Sequence, residues 1–368
     1  MAHNNSFFKF FPPPALLRMS AVGLDIGNQF IRFVELVPKG DGLVLGRYGE
    51  EPTPRGSIID GEIKDSRALE IALSKMRTRH NLSLVRASIS EKLGYLFSAQ
   101  IARVARREIR GALELRLEEF VPIAGGEAVF DYVTTDCPAP DDQKFWNIGV
   151  AVLPQTKAMQ YVELLRGVGF TPLSFELEAH SLVHALLEKK DCGTVLIADI
   201  GATKTGVLVV SRGIVHLSAS IAIGGESFTN AITKSLAIPF ENAEALKRKH
   251  GLARRYGKGE LFSVLAPLVS TLRDEIGRYA NFWQTHEHGG REEGASQAIE
   301  RIVLCGGEAN TPGIREYLAQ SLKMEVSLGN PWVNVVRDPL YVPELHAAHA
   351  LRYTTAIGLA LGDHAELV

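Results

Sequence analysis

Cysteine is scarce in this chain. Only Cys137, Cys192 and Cys305 occur in 368 residues, far apart in sequence. They offer neither a disulfide framework nor a CxxC metal pair, so a reducing cytoplasm is the default compartment. A surplus of one charge sign is also missing: 40 basic side chains meet 42 acidic ones, for a net charge of -2. A dedicated nucleic-acid binder would carry a basic excess, so no nucleic acid, and no DNA in particular, is expected as a partner. Long apolar runs are absent too. A bilayer span needs about 20 apolar residues, and an apolar stretch such as Thr194 to Val210 is interrupted by Asp199 and Lys204. No GxxxxGK[ST] phosphate loop is present. What remains is ordinary globular composition, 46% hydrophobic and 22% charged, which excludes a mainly disordered chain. The length suggests two or three domains.

The first 20 residues, MAHNNSFFKFFPPPALLRMS, lack a basic start, and Pro12, Pro13 and Pro14 break their apolar run. They read as an N-terminal arm rather than a signal peptide. A weak membrane-surface contact through Phe7, Phe8, Phe10 and Phe11 is the alternative. Beyond the arm, strand patterns alternate with helical ones, which makes the class α/β. Helices are expected over Ser66 to Arg79, Arg103 to Phe120, Thr156 to Val168, Glu178 to Lys189, Pro267 to Thr285 and Tyr353 to Leu361. The second of these carries one apolar stripe through Ile109, Leu113, Leu117 and Phe120.

One pattern occurs twice. VGLDIG at Val22 to Gly27 matches VLIADIG at Val195 to Gly201: an apolar strand, then Asp-Ile-Gly, then a second apolar strand. That implies two related halves around one cleft. Glycine at such a turn lets backbone N–H groups approach a phosphate. The carboxylates Asp25 and Asp199 at the strand ends suit a hydrated Mg2+, which needs few direct protein ligands. Three further elements follow: a strand ending in Gly224-Gly225, the pair Glu244 and Lys247 one helical turn apart, and the strand Ile302 to Cys305 ending in Gly306-Gly307. Glu244 and Lys247 share a helix face suited to ribose hydroxyls, and the two glycines suit close approach of a flat ring. His286 with His288, and His346 with His349, lack the accompanying ligands of a metal site and read as solvated histidines.

This order of motifs resembles the actin-like ATPase superfamily. Within it the chain is most similar to the PilM family of type IV pilus assembly proteins, and it is also similar to the cell-division protein FtsA. The resemblance runs from about Ala21 to Gly362 through VGLDIGNQFIRFVEL, ADIGATKTGVLV, IGGESFT, EALKRKHG, IVLCGG and AIGLAL. It implies a duplicated, ribonuclease H-like fold with two lobes and inserted subdomains. The first lobe would span 21–95 and 147–192, with an inserted subdomain at 96–146. The second would span 193–224 and 300–368, with a subdomain at 225–299.

The same resemblance implies ATP and Mg2+ as cofactors. Asp25 and Asp199 would organise the metal through water. Gly27, Asn28 and Gln29 would form one phosphate turn, with Arg32 behind it. Gly201, Ala202, Thr203, Lys204 and Thr205 would form the other, beside Gly224. Glu244 and Lys247 would meet the ribose, and Gly306 and Gly307 the adenine. Relatives usually carry serines and then a lysine in the first turn. Here Asn28, Gln29 and Arg32 stand instead, so backbone donors remain but hydrolysis is expected to be weak or absent. Glu178 is the candidate for positioning a water, by location only.

The implied role is a cytoplasmic, ATP-binding adaptor of the pilus inner-membrane platform. A short tail of the membrane protein PilN would dock near the insertion, holding the chain peripherally at the inner membrane. Other platform proteins and self-association complete the implied partners. Two alternatives stand beside it. An FtsA-like protein would end in a basic amphipathic helix, whereas this chain ends in LGDHAELV. A sugar kinase of the same superfamily would place the DIGATK loop near its start and carry a cysteine-rich zinc motif.

Overall fold

The computed structural model describes residues 21–39, 42–135, 137, 144–253, 259–286, 298–335 and 341–362. The phenylalanine-bearing arm, His288 and the acidic chain end lie outside the described residues.

The first lobe is built on β1 (Val22–Ile26), β2 (Phe30–Lys39), β3 (Gly42–Pro52), β6 (Leu84–Ile89) and β10 (Thr171–Leu177), in the order β10-β6-β1-β2-β3. Strands β4 (Ile58–Ile59) and β5 (Glu62–Ile63) form a separate two-residue ribbon. The second lobe is built on β11 (Thr194–Ile200), β12 (Thr205–Ser211), β13 (Ile214–Ile221), β14 (Arg301–Cys305) and β15 (Glu325–Leu328), ordered β13-β12-β11-β14-β15. In both sheets three antiparallel strands are followed by two parallel additions beside the first. The expected duplication is therefore complete at the level of topology. The central strands are covered on both faces, which is why β11 reads as a continuous apolar run with Val195 to Ala198 fully buried.

Helix α1 (Ser66–His80) starts at Asp65, whose carboxylate accepts the Ala68 N–H at 3.0 Å, and buries Leu69, Leu73 and Met76. The long helix expected over Arg103 to Phe120 is broken instead. A 3-10 turn at Arg106–Glu108 leads to α2 (Ile109–Glu114), and α3 (Leu117–Phe120) follows after Leu115 and Arg116. The cause lies in the stripe. Ile109, Leu113 and Leu117 recur every four residues and drift about 40° per step on a helix of 3.6 residues per turn. The break resets the phase, so all three stay buried while Leu115 is 89% exposed. Phe120 leaves the stripe and stacks on Phe97, with ring centroids 4.8 Å apart.

Strands β7 (Tyr95–Ala102), β8 (Ala128–Thr134) and β9 (Phe145–Pro154) form a third sheet, β7-β9-β8, with its own core around Ile109, Phe130, Ile148 and Val150. Strand β9 pairs wholly within this sheet, which therefore runs past residue 146 to Pro154. After it come α4 (Gln155–Gly167) and α5 (Glu178–Leu186). In the second lobe, α6 (Gly225–Leu236), α7 (Phe240–His250) and α8 (Glu260–His286) precede β14. Helix α8 starts a full seven residues before the expected Pro267, which it carries inside. Then α9 (Ile314–Leu322), α10 (Ala347–Ala350) and α11 (Thr354–Leu361) complete the helices of the described residues.

Helix α11 joins the lobes. It follows second-lobe elements in the chain yet lies on β1. A Cβ on Gly23 would stand 2.0 Å from the Ala356 carbonyl oxygen, and one on Gly358 would stand 1.8 Å from the Ser181 oxygen of α5. Glycine is required at both crossings. The cysteine reading also changes: Cys137 and Cys192 form a disulfide. Distance along the chain hid this, because the insertion folds back onto the second lobe. Thr135 Oγ1 donates to the Arg212 carbonyl at 2.6 Å, and Ser98 Oγ lies 2.9 Å from His216 Nδ1.

Candidate functional site

The two Asp-Ile-Gly turns have the same local structure. Register pairs Asp25 with Arg32 and Ile26 with Ile31, and likewise Asp199 with Gly206 and Ile200 with Thr205. Each turn is closed by one bond: Gly27 N–H to the Phe30 oxygen at 3.1 Å, and Gly201 N–H to the Lys204 oxygen at 3.0 Å. A Cβ on either glycine would press on that same oxygen, at 3.1 and 3.0 Å. The second turn is also anchored from behind. The first N–H groups of α6, those of Gly225 and Glu226, donate to the Gly201 and Ala202 oxygens at 3.0 and 2.8 Å. A Cβ on Gly224 would meet Ala202 O at 2.6 Å, which explains the glycine there.

The acids at the strand ends strain against burial. Burial pushes the Asp25 carboxyl up to about 7, with Glu178 and Asp199 adding and Arg32 and a Ser88 hydroxyl opposing. Burial likewise pushes Asp199 up to about 6, with Glu178 adding and Lys204 and Cys305 opposing. Burial alone would lower Lys204. Glu178, Glu91 and Asp199 outweigh it, so its ammonium stays above its usual range and charged. Asp25, Asp199, Glu178 and Glu91 therefore crowd one region against Lys204 and the more distant Arg32. Such a crowd of half-buried acidic groups, whose ionised forms are disfavoured, favours a bound cation. No group of three or more acidic, His or Cys side chains among the described residues is arranged to hold a metal directly. The fit is to a hydrated divalent ion held through water.

A cavity of about 320 Å3 opens here, lined by Glu91, Glu178, Asp199, Gly201 and Lys204 among others. Glu91 is absent from the sequence reading. Its signal was its place just past the carboxyl end of β6, where ligands gather in open α/β sheets. Burial and Glu178 push its carboxyl well above the usual range. A larger opening of about 720 Å3 between α6 and α8, lined by Ala231, Lys234 and Glu260, contains none of these residues.

Several expected contacts are placed differently. Lys247 is 1% exposed, and its three N–H donors have three acceptors: Gly225 O at 3.1 Å, Glu244 at 2.8 Å and Glu308 at 2.9 Å. It has no donor left for a ribose and instead fixes Glu244 and Glu308. Burial pushes Glu244 upward, but bonds from Lys247 and Thr229 outweigh it and hold the carboxylate below its usual range. Thr205 is buried and donates to the Ile223 oxygen at 2.7 Å, so its hydroxyl turns inward. Arg32 pairs with Glu50 at 3.0 Å and lies over the Phe30 and Tyr353 rings, so it acts on the turns as a charge at a distance. Gln29 donates to Glu226 at the start of α6 and so links the first turn to the helix that anchors the second.

Asn28 and Ala202 are partly exposed and Thr203 is exposed on their turns. Gly306, at φ 83°, packs where a Cβ would meet Asp199 Oδ1 at 2.4 Å, whereas Gly307 faces open space. His346 caps α10, accepting the Ala348 N–H at 3.3 Å.

A model of the type IV pilus assembly protein PilM family matches residues 23–364. The chain belongs to this family. A solved PilM-PilN type IV pilus biogenesis complex resembles it with a TM-score of 0.73 at 23% identity, covering 94% of this chain and 99% of that one. MreB5 of Spiroplasma citri, bound to ADP, gives 0.56 at 15% identity, covering 92% and 94%. At such identities these likenesses establish the actin-like fold. FtsA of Pseudomonas aeruginosa is 29% identical over 171 residues, 42% of this chain and 41% of that protein. EutJ of Escherichia coli is 27% identical over 174 residues, 47% of this chain and 54% of that protein. The chain spans about half the length of these curated relatives. No helix among the described residues is long and apolar enough to cross a membrane.

Proposed function

We propose that this PilM-family chain binds Mg2+-ATP between its two turns and acts as a nucleotide-dependent adaptor of the type IV pilus inner-membrane platform. The observation that carries the nucleotide reading is the pair of matching Asp-Ile-Gly turns, each bearing a half-buried, destabilised aspartate. Backbone groups of Gly27 to Gln29 and of Gly201 to Lys204 would hold phosphates, and the charged Lys204 would neutralise them. Asp25 and Asp199 would hold the metal's water shell; the ion supplies charge neutralisation to the phosphates. Glu244, fixed by Lys247, would take the ribose, and Gly307 the adenine face. Glu178 would orient a water. With Asn28 and Gln29 in the first turn, turnover far below the ordinary range of about 1–1000 per second is expected. Calorimetry tests the site: Asp199→Ala should weaken Mg2+-ATP binding by about 1–3 kcal/mol, the scale of charge-assisted contacts. Equal affinities would reject it.

The insertion is the proposed dock for the cytoplasmic tail of a PilN-like protein. Support comes from family membership and from likeness to a solved PilM-PilN complex. The outer edge of β8 is an unfavourable place for an added strand. Arg110 donates to the Phe130 oxygen at 3.2 Å, and Tyr132 N–H is held by Asp131 at 2.9 Å. The groove is therefore expected elsewhere on the insertion. Micromolar affinity, about 8 kcal/mol, suits a short tail. Replacing Arg103 to Asp142 by a short linker leaves β7 and β9 able to pair, and should abolish binding of a PilN-tail peptide in a fluorescence titration. Full retention places the dock outside Arg103 to Asp142 and overturns this part of the reading.

A further inference from the structure

We propose that Cys137 and Cys192 form a reversible thiol–disulfide site that fastens the inserted subdomain to the second lobe. The inference rests on the cytoplasmic placement proposed above, because in a reducing compartment such bonds are transient or sensing rather than structural.

The bond joins two units that the chain order keeps apart. Cys137 follows β8 of the insertion, and Cys192 precedes β11 of the second lobe, with Cα atoms 5.6 Å apart and a sequence separation of 55. The two sides differ in how firmly they are held. Cys192 sits in a turn pinned by its neighbours: Asp191 pairs with Arg301 and accepts the Gly193 N–H at 3.1 Å. Cys137 is held by Thr135, whose hydroxyl accepts the Cys137 N–H at 3.0 Å and itself donates to Arg212 O. Breaking the bond leaves Cys192 in place and frees Cys137 from the second lobe. The ties that remain include that threonine, the Ser98–His216 contact and the packing of β7 and β9 on β13, with Gly149 beside Ile214.

Access is uneven as well. Cys137 is buried and Cys192 is partly exposed, so an attacking thiolate reaches Cys192 first. Cys305 takes no part. It is fully buried on β14, and burial and Asp199 push its thiol well above its usual range. In the forward step the two thiols lose two protons and two electrons to a small-molecule disulfide such as oxidised glutathione, which leaves as two thiols. A dithiol reductant reverses it and becomes the disulfide.

The test uses the full chain without nucleotide or partner, so failure of the ATP reading leaves it intact. Thiol counting in glutathione buffers of rising oxidised fraction should show two of the three thiols lost and regained together, with Cys305 unmodified throughout. A pair that stays reduced in every buffer, or stays bonded under excess dithiol, overturns reversibility. Hydrogen exchange then reads the fastening. Amides of 128–134, the strand that leads to Cys137, should exchange about tenfold faster in the reduced protein, as for a local opening that has lost a tether. Cys137→Ser and Cys192→Ser should each exchange like the reduced protein in either buffer. Equal exchange in oxidised protein, reduced protein and both variants overturns the fastening. If the variants are slow while the reduced wild type is fast, the bond is not what holds the segment, which overturns it equally.

Discussion

Gly358→Ala is expected to destabilise the protein by at least about 1–3 kcal/mol, the range for forced overpacking. The added methyl would lie 1.8 Å from the Ser181 oxygen and 2.5 Å from its carbonyl carbon. Both are backbone atoms of α5, so no rotamer change gives relief. Helices α11 and α5 must separate. Their crossing joins the lobes, and α5 begins at Glu178, so separation also displaces a proposed site residue. Thermal unfolding measures the loss. An unchanged midpoint would show that the crossing is looser than described.

Lys247→Met is expected to cost about 3–5 kcal/mol, as when one partner of a buried ion pair is removed. The variant fills the same space but leaves Glu244, Glu308 and the Gly225 oxygen without the ammonium that serves all three. The pH dependence has a definite sign. Glu244 titrates below its unfolded value in the folded chain, because of Lys247 and Thr229. Its contribution is therefore present at neutral pH and is lost as pH falls through the folded value. Urea unfolding should show a large deficit for the variant near pH 7 that shrinks as pH falls below the usual carboxylate range and through the folded value of Glu244. A deficit independent of pH would mean that the cost comes from packing alone.

Much of the architecture was legible because its signals are local. VGLDIG and VLIADIG each specify a strand, a turn and the turn's closing bond within a few residues, and both appear as read. The alternation of strands and helices followed from periodicity, whereas the separate insertion was implied by the family resemblance. What escaped depends on partners distant in sequence. Nothing near Lys247 reveals that Glu308, on another element, will take its third donor. Glu91 and Glu178 meet only when β6 and α5 come together. The Cys137–Cys192 bond requires the insertion to reach the second lobe. Strand β9 was expected at Trp146 to Leu153, but its partners β7 and β8 were not legible, because a strand's own residues do not name its neighbours. Thr205 and Arg32 were read as facing a ligand, and tertiary partners at Ile223 and Glu50 claimed them.

The central claim is that one Mg2+-ATP sits between the duplicated turns. Calorimetric titration of ATP into the wild-type chain, with Mg2+ and again with the metal chelated, tests it most directly. The account predicts one site per chain, weaker when the metal is removed and weaker in Asp199→Ala. Absence of saturable binding, or binding indifferent to both Mg2+ and Asp199, would contradict it.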